Sequence, residues 1–161
     1  MLLKNHKIIN NIDELKSHVI NDKKNQSKIV FTNGCFDVIH SGHIHILESA
    51  KSKGDKLIVG LNSDKSVSKI KPGRPINSQN DRAYVLSGIS YVDYIYIFDE
   101  NTPQKLIEEI SPDILIKGKD YEGKMIVGED FMLKNNKQVE LIELVPEMST
   151  SQIINKIKKS I

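Results

Sequence analysis

Tryptophan is absent from this 161-residue chain, and cysteine occurs once, as Cys35. A lone thiol excludes any disulfide within the chain, so stability must come from a packed core, which a chain of this length can bury. It also fits a reducing, cytoplasmic setting. An excess of one charge is missing too. Lys and Arg number 23 against 21 Asp and Glu, a formal net charge of +2, whereas nucleic-acid-binding domains are usually much more basic. The run Lys156, Lys158, Lys159 reads as a solvated helix end that suits the helix dipole. No apolar run approaches the ~18 residues that span a bilayer. The N-terminus MLLKNHKIINNIDELK lacks an apolar stretch followed by a small-residue cleavage site. Repeats, low-complexity tracts and a G-x-x-x-x-G-K-[ST] phosphate loop are likewise absent. The expectation is one cytoplasmic domain over residues 28–161 with a helical extension over 1–27, and neither nucleic acid nor membrane as partner.

What is present alternates. KIVFT (Lys28–Thr32), KLIVGL (Lys56–Leu61), YIYIF (Tyr94–Phe98), DILIKG (Asp113–Gly118) and VELIEL (Val139–Leu144) read as short buried strands, bounded by Gly, Pro, Asn or Asp. Helical stretches lie between them, the first from about Ser41 to Lys53. Asn11 with Glu14 and Ser78 with Asp81 resemble capping boxes, and Thr102–Pro103 suits an N-cap and first turn. Ser149 is placed to cap a last helix whose Ile153, Ile154 and Ile157 share one face. Strand–helix alternation with nearly continuous apolar strands predicts a doubly wound, Rossmann-like five-stranded parallel sheet with helices on both faces. In such sheets ligands sit beyond the carboxyl ends of the strands, at the switch point.

TNGCFDVIHSGH, Thr32 to His43, begins at the carboxyl end of the first of these strands. Cys35, Asp37, His40, His43 and His45 are all metal-ligand types. On a helix, however, His43 and His45 point about 200° apart, and no second Cys or His cluster follows. A cysteine nucleophile would need Cys35 beside a base and an orienting group; a lone Cys next to a core strand is more often a small buried residue. A phosphate pocket uses more of the stretch. Gly34 permits a tight turn, His40 and His43 are three apart at a helix start, and Gly42 leaves room for phosphate near the first helical amides.

FTNGCFDVIHSGHIHIL resembles the signature of the H-x-G-H nucleotidyltransferases, which include cytidylyltransferases and pantetheine-phosphate adenylyltransferases. GLNSDKSV, KPGRPIN, the DRAYVL helix, VDYIYIFDE, PDILIKGKDY, IVGED and STSQII extend the resemblance to the adenylyltransferase domain of bacterial heptose biosynthesis. It covers nearly the whole chain from Lys28 onward. The resemblance implies that ATP and D-glycero-beta-D-manno-heptose 1-phosphate are joined to give ADP-heptose and pyrophosphate. CTP with glycerol 3-phosphate and GTP with the other heptose anomer are rival pairs, and a non-catalytic nucleotide-binding module is a rival of another class. It further implies His40, His43, Lys71 and Arg82 as catalytic residues. Thr32, Asn33, Gly34, Phe36, Gly42, Lys117, Asp120, Ser149, Thr150 and Ser151 would bind the nucleotide, and Asp37, Arg74 and Tyr121 the acceptor. Mg²⁺ is expected with the triphosphate, with no carboxylate cage of the protein's own. A homodimer and a separate heptose kinase upstream are the expected partners. Two departures stand out: His45 where a variable residue is expected, and Lys119 where heptose enzymes more often carry a small one.

Overall fold

A computed structural model describes residues 5–146 and 149–160. Residues 1–4 of the expected extension and residues 147, 148 and 161 of the expected domain lie outside the described residues. In chain order the elements are β1 (Ile8–Ile9), α1 (Ile12–Lys24), β2 (Ile29–Gly34), α2 (Ser41–Lys51), β3 (Lys56–Asn62), α3 (Asp64–Ile70) and α4 (Gln79–Ser87). Then follow β4 (Tyr94–Phe98), α5 (Gln104–Ile110), β5 (Ile114–Gly118), α6 (Glu129–Lys134), β6 (Gln138–Ile142) and α7 (Thr150–Ser160). A 3-10 turn spans Lys119–Tyr121.

Alternation along the strands divides the apolar residues between two cores. Val30, Leu57, Val59, Leu61, Ile114 and Ile116 pack on one face with Leu47 and Ala50 of α2 and Ala83 and Leu86 of α4. Ile29, Phe31, Ile58 and Leu115 point the other way, against Leu15 and Val19 of α1, Ile107 of α5 and Met132 of α6. Most of these side chains are fully buried, and each one larger than alanine contributes roughly 1.5–3 kcal/mol of transfer free energy. Two covered faces are why the strands read as apolar runs.

All pairings are parallel, and the order is β1-β4-β3-β2-β5-β6. From β2 the chain builds outward through β3 and β4, then returns to add β5 and β6 on the other side. The switch point therefore lies between β2 and β5, where a crevice opens at their carboxyl ends.

The expected five-stranded sheet has six strands. Ile8–Ile9 pairs with Ile95 and Tyr96 at the β4 edge, so part of residues 1–27 completes the sheet, and α1 buries Leu15 and Val19 against it. The caps also differ in detail. Asn11 accepts from Asp13 N–H at 2.8 Å, Ser78 Oγ from Asp81 N–H at 3.2 Å, and Ser149 Oγ from Gln152 N–H at 3.2 Å. At α5 the cap position is Pro103, which has no side chain to accept a hydrogen bond, and not Thr102.

Candidate active site

Beyond Gly34 the chain leaves the sheet in a turn that Phe36 completes with φ +46°, a left-handed conformation that a bulky residue rarely adopts. The Phe36 ring folds back over Gly34, where a Cβ would meet it at 3.1 Å. The backbone N–H groups of Cys35, Phe36 and Asp37 find no acceptor among the described residues. Successive unpaired amides in a tight turn form an anion-binding concavity.

Asp37 ends the turn, 3% exposed. Its carboxylate accepts from Ile76 N–H at 2.8 and 2.9 Å and from Asn77 N–H at 2.9 Å. Arg74 Nε lies 2.7 Å from Asp37 Oδ2, yet that nitrogen has no directed hydrogen bond; the contact is Coulombic. Asp37 thus clamps the 74–77 loop over the crevice. The carboxylate is engaged by backbone amides and an arginine while Asp37 also lines the cleft.

Arg82 is likewise engaged within the protein. It is 1% exposed, and four of the five guanidinium N–H groups are used within the protein. Nε donates to Asn77 O at 3.1 Å, one terminal nitrogen to Cys35 O at 2.6 Å and Asn62 O at 2.8 Å, and the other to Asp64 Oδ1 at 2.8 Å. The side chain points inward and is held there by three backbone carbonyls and one carboxylate.

Helix α2 starts at His40, whose own N–H donates to His43 Nδ1 at 3.3 Å. The two rings lie 3.9 Å apart. Accepting at Nδ1 leaves the proton of a neutral His43 on Nε2. Burial first, then the neighbouring His40 and Lys71, push His43 down to about 4; burial also lowers His40. Both imidazoles are neutral at pH 7. His40 Nδ1 is buried without a partner among the described residues.

These pieces border a cleft with two lobes. The deeper lobe, about 210 Å³, runs from Asn33, Gly34 and the turn to Lys117, Asp120 and Tyr121. The outer lobe, about 300 Å³, lies between the N-termini of α2 (His40, Gly42) and α7 (Ser149, Thr150, Ser151). His43, Lys71, Asp120 and Thr150 line both lobes. Two helix N-termini, each carrying partial positive charge, favour anions in the outer lobe. Thr150 Oγ1 donates to Val38 O at 3.2 Å and ties α7 to the turn.

On the floor of the deeper lobe, Lys117 Nζ donates to Asn33 Oδ1 and lies 5.3 Å from the Tyr121 ring centroid. Burial lowers its pKa to about 8, against the opposing pull of Asp120. Thr32 is buried, and its hydroxyl donates to Ile116 O at 3.1 Å, tying β2 to β5. Cys35 also faces this lobe; burial is the largest influence on its thiol and raises the pKa, which favours the protonated form over a nucleophilic thiolate.

Two flagged residues fall outside. His45 lines neither lobe, and Lys119 is exposed and paired with Glu143. Among the described residues no group of three or more His, Cys, Asp or Glu is placed to hold a metal ion, and no helix is long and apolar enough to cross a membrane.

Known proteins resemble the chain in sequence or in fold. The chain is 53% identical over 154 residues to the bifunctional protein HldE of Campylobacter concisus, covering 95% of this chain and 31% of that protein. It is 58% identical over 134 residues to HldE of Wolinella succinogenes, covering 83% of this chain and 27% of the relative. It therefore spans less than a third of the length of these relatives. A crystal structure of the lipopolysaccharide core biosynthesis protein from Thermoplasma volcanium GSS1 superposes with a TM-score of 0.60 at 30% identity, over 74% of this chain and 97% of that one. Pantoate-beta-alanine ligase from Francisella tularensis, complexed with beta-gamma ATP and beta-alanine, shares the fold alone, with a TM-score of 0.62 at 17% identity over 94% of this chain and 77% of that one. A family profile matches residues 31–156, a stretch that holds the turn, both histidines and the start of α7: the chain belongs to the cytidylyltransferase-like family.

Proposed function

We propose that the chain is a nucleotidyltransferase that joins ATP to D-glycero-beta-D-manno-heptose 1-phosphate, giving ADP-heptose and pyrophosphate. The observation that carries this reading is the position of His43 and Lys71 at the junction of the two lobes. An α-phosphorus at that junction has room for a leaving pyrophosphate on one side and an attacking phosphate on the other. The heptose assignment draws support from the resemblance in KPGRPIN, VDYIYIFDE and KGKDY and from the likeness to HldE proteins over most of this chain.

In the reaction an oxygen of the sugar phosphate attacks the α-phosphorus, and the bond to the β-phosphate oxygen breaks. The attacking group is already an anion, so no strong base is required. Positioning and charge stabilisation supply the catalysis. His43 Nε2–H and Lys71 meet the α-phosphate. His40, Gly42 and Ser149–Ser151 hold the β- and γ-phosphates, and the Phe36 amide adds a donor. Asn33, Lys117 and Asp120 bound the nucleoside, while Arg74 and Tyr121 face the sugar phosphate. Mg²⁺ enters on the triphosphate and neutralises part of its charge. A cytoplasmic homodimer supplied by an upstream heptose kinase belongs to the same proposal.

The test is pyrophosphate release with each of four nucleoside triphosphates, offered with the heptose 1-phosphate anomers and with glycerol 3-phosphate. ATP with the beta anomer should give the highest kcat/KM. At least tenfold faster turnover with CTP or GTP would overturn the base assignment. No release with any pair would overturn the enzyme reading.

A further inference from the structure

The Arg82 guanidinium sits behind the phosphate turn, and one of its contacts acts on a single peptide unit. Its terminal nitrogen holds the Cys35 carbonyl at 2.6 Å, the shortest of its four bonds. Cys35 C=O and Phe36 N–H belong to the same peptide, which is trans, since the only cis bond among the described residues is Arg74–Pro75. In a trans peptide the carbonyl and the amide point in opposite directions. Arg82 lies on the inner side and does not line the deeper lobe, whereas Cys35 and Phe36 do. The Phe36 N–H therefore faces away from Arg82, toward the cleft, and it has no acceptor among the described residues.

We infer that Arg82 is a positioning residue that holds the Cys35–Phe36 peptide in the orientation presenting Phe36 N–H to a bound phosphate. Without the inner anchor this peptide is free to flip, because its φ of +46° at Phe36 is unfavourable for a bulky side chain. A flip would point a carbonyl oxygen at the anion and replace an attraction with a repulsion. The same guanidinium holds Asn77 O and Asn62 O, so the 74–77 loop and the end of β3 share the anchor. A lysine cannot take its place, because it lacks the planar fork that reaches several carbonyls at once.

This inference rests on the triphosphate reading of the cleft, and its test separates the two. Cys35 is the only cysteine, so ¹³C-carbonyl cysteine with ¹⁵N-phenylalanine labels one peptide bond, Cys35–Phe36. Its carbonyl–amide correlation reports the hydrogen bond on each side. In the wild type, saturating magnesium ATP should move the Phe36 amide proton downfield. In Arg82→Lys the carbonyl shift should change without ligand, the ATP response should be lost, and kcat should fall ~10²-fold, as for a lost oxyanion donor. Arg82→Ala, if folded, should regain part of its kcat with added guanidinium; if it does not fold, Arg82→Gln replaces it without the rescue.

A less stable Arg82→Lys protein with normal kcat and a normal ATP response would overturn the inference in favour of a purely structural role. A lost kcat with an intact ATP response would also overturn it, since Arg82 would then act on the phosphate directly. A silent Phe36 amide in wild type while other amides respond to ATP overturns the inference and leaves the nucleotide reading standing. No response to ATP anywhere removes both.

Discussion

The backbone N–H of His40 donates to Nδ1 of His43, 3.3 Å away, which makes a histidine the reciprocal partner in a helix cap, a position where Glu or Gln is usual. The bond fixes the tautomer, and the tautomer decides the chemistry. With Nδ1 accepting, Nε2 carries the proton, and a neutral N–H donor is presented where the two lobes meet.

Burial of His43, with His40 and Lys71 beside it, makes stability depend on pH. The pKa of His43 is lowered to about 4 in the folded protein from an ordinary value of 6.5, so between those limits the unfolded chain binds more protons. Stability contributed by the neutral form is complete above 6.5 and is lost as pH falls towards 4. His43→Gln keeps a cap acceptor and removes the titration. Urea unfolding at pH 7 and pH 5 should show the wild type losing more stability than His43→Gln. Equal losses would mean that burial does not lower the pKa of His43 in the folded protein.

Ser149 and Thr150 separate a cap from an anion site. Ser149 caps α7, and removing a cap costs about 1 kcal/mol. Hydrogen bonds to a charged group are worth roughly 1.5–3 kcal/mol each. The Ser149→Ala/Thr150→Ala protein should therefore bind ATP at least tenfold more weakly while remaining folded. Calorimetric titration beside a melting curve checks this. Unchanged affinity would reduce the pair to its structural role.

Cys35→Ser should remain an active transferase, because the attacking atom belongs to the substrate and burial raises the pKa of the thiol. Pyrophosphate release measures it directly. Complete loss of turnover in a folded variant that still binds nucleotide would make Cys35 a nucleophile.

The parallel sheet, its switch point and the turn that follows β2 were legible because apolar runs, Gly34 and H-x-G-H are local signals. Ile8–Ile9 was not, since a two-residue strand has no periodicity to read and exists only because β4 offers an edge. The internal contacts of Arg82 and Asp37 are not legible in the sequence for a related reason. A charged residue near a phosphate motif reads as a ligand contact, and only tertiary structure reveals that Asn77, Cys35 and Asn62 carbonyls claim the arginine while backbone amides claim the aspartate. Three donors converging on carbonyls and a fourth on the Asp64 carboxylate leave no trace in spacing.

The most direct test of the account compares His43→Ala with His45→Ala. His43 lines both lobes and His45 neither. A donor that stabilises charge developing at the α-phosphate acts on the transition state more than on the ground state, and losing one costs ~10²–10³ in kcat, or about 2.7–4 kcal/mol. His43→Ala should fold, bind ATP within several-fold of wild type and turn over at least a hundredfold more slowly, while His45→Ala loses less than threefold. A His43→Ala protein that melts early yet turns over normally in its folded fraction would contradict the account.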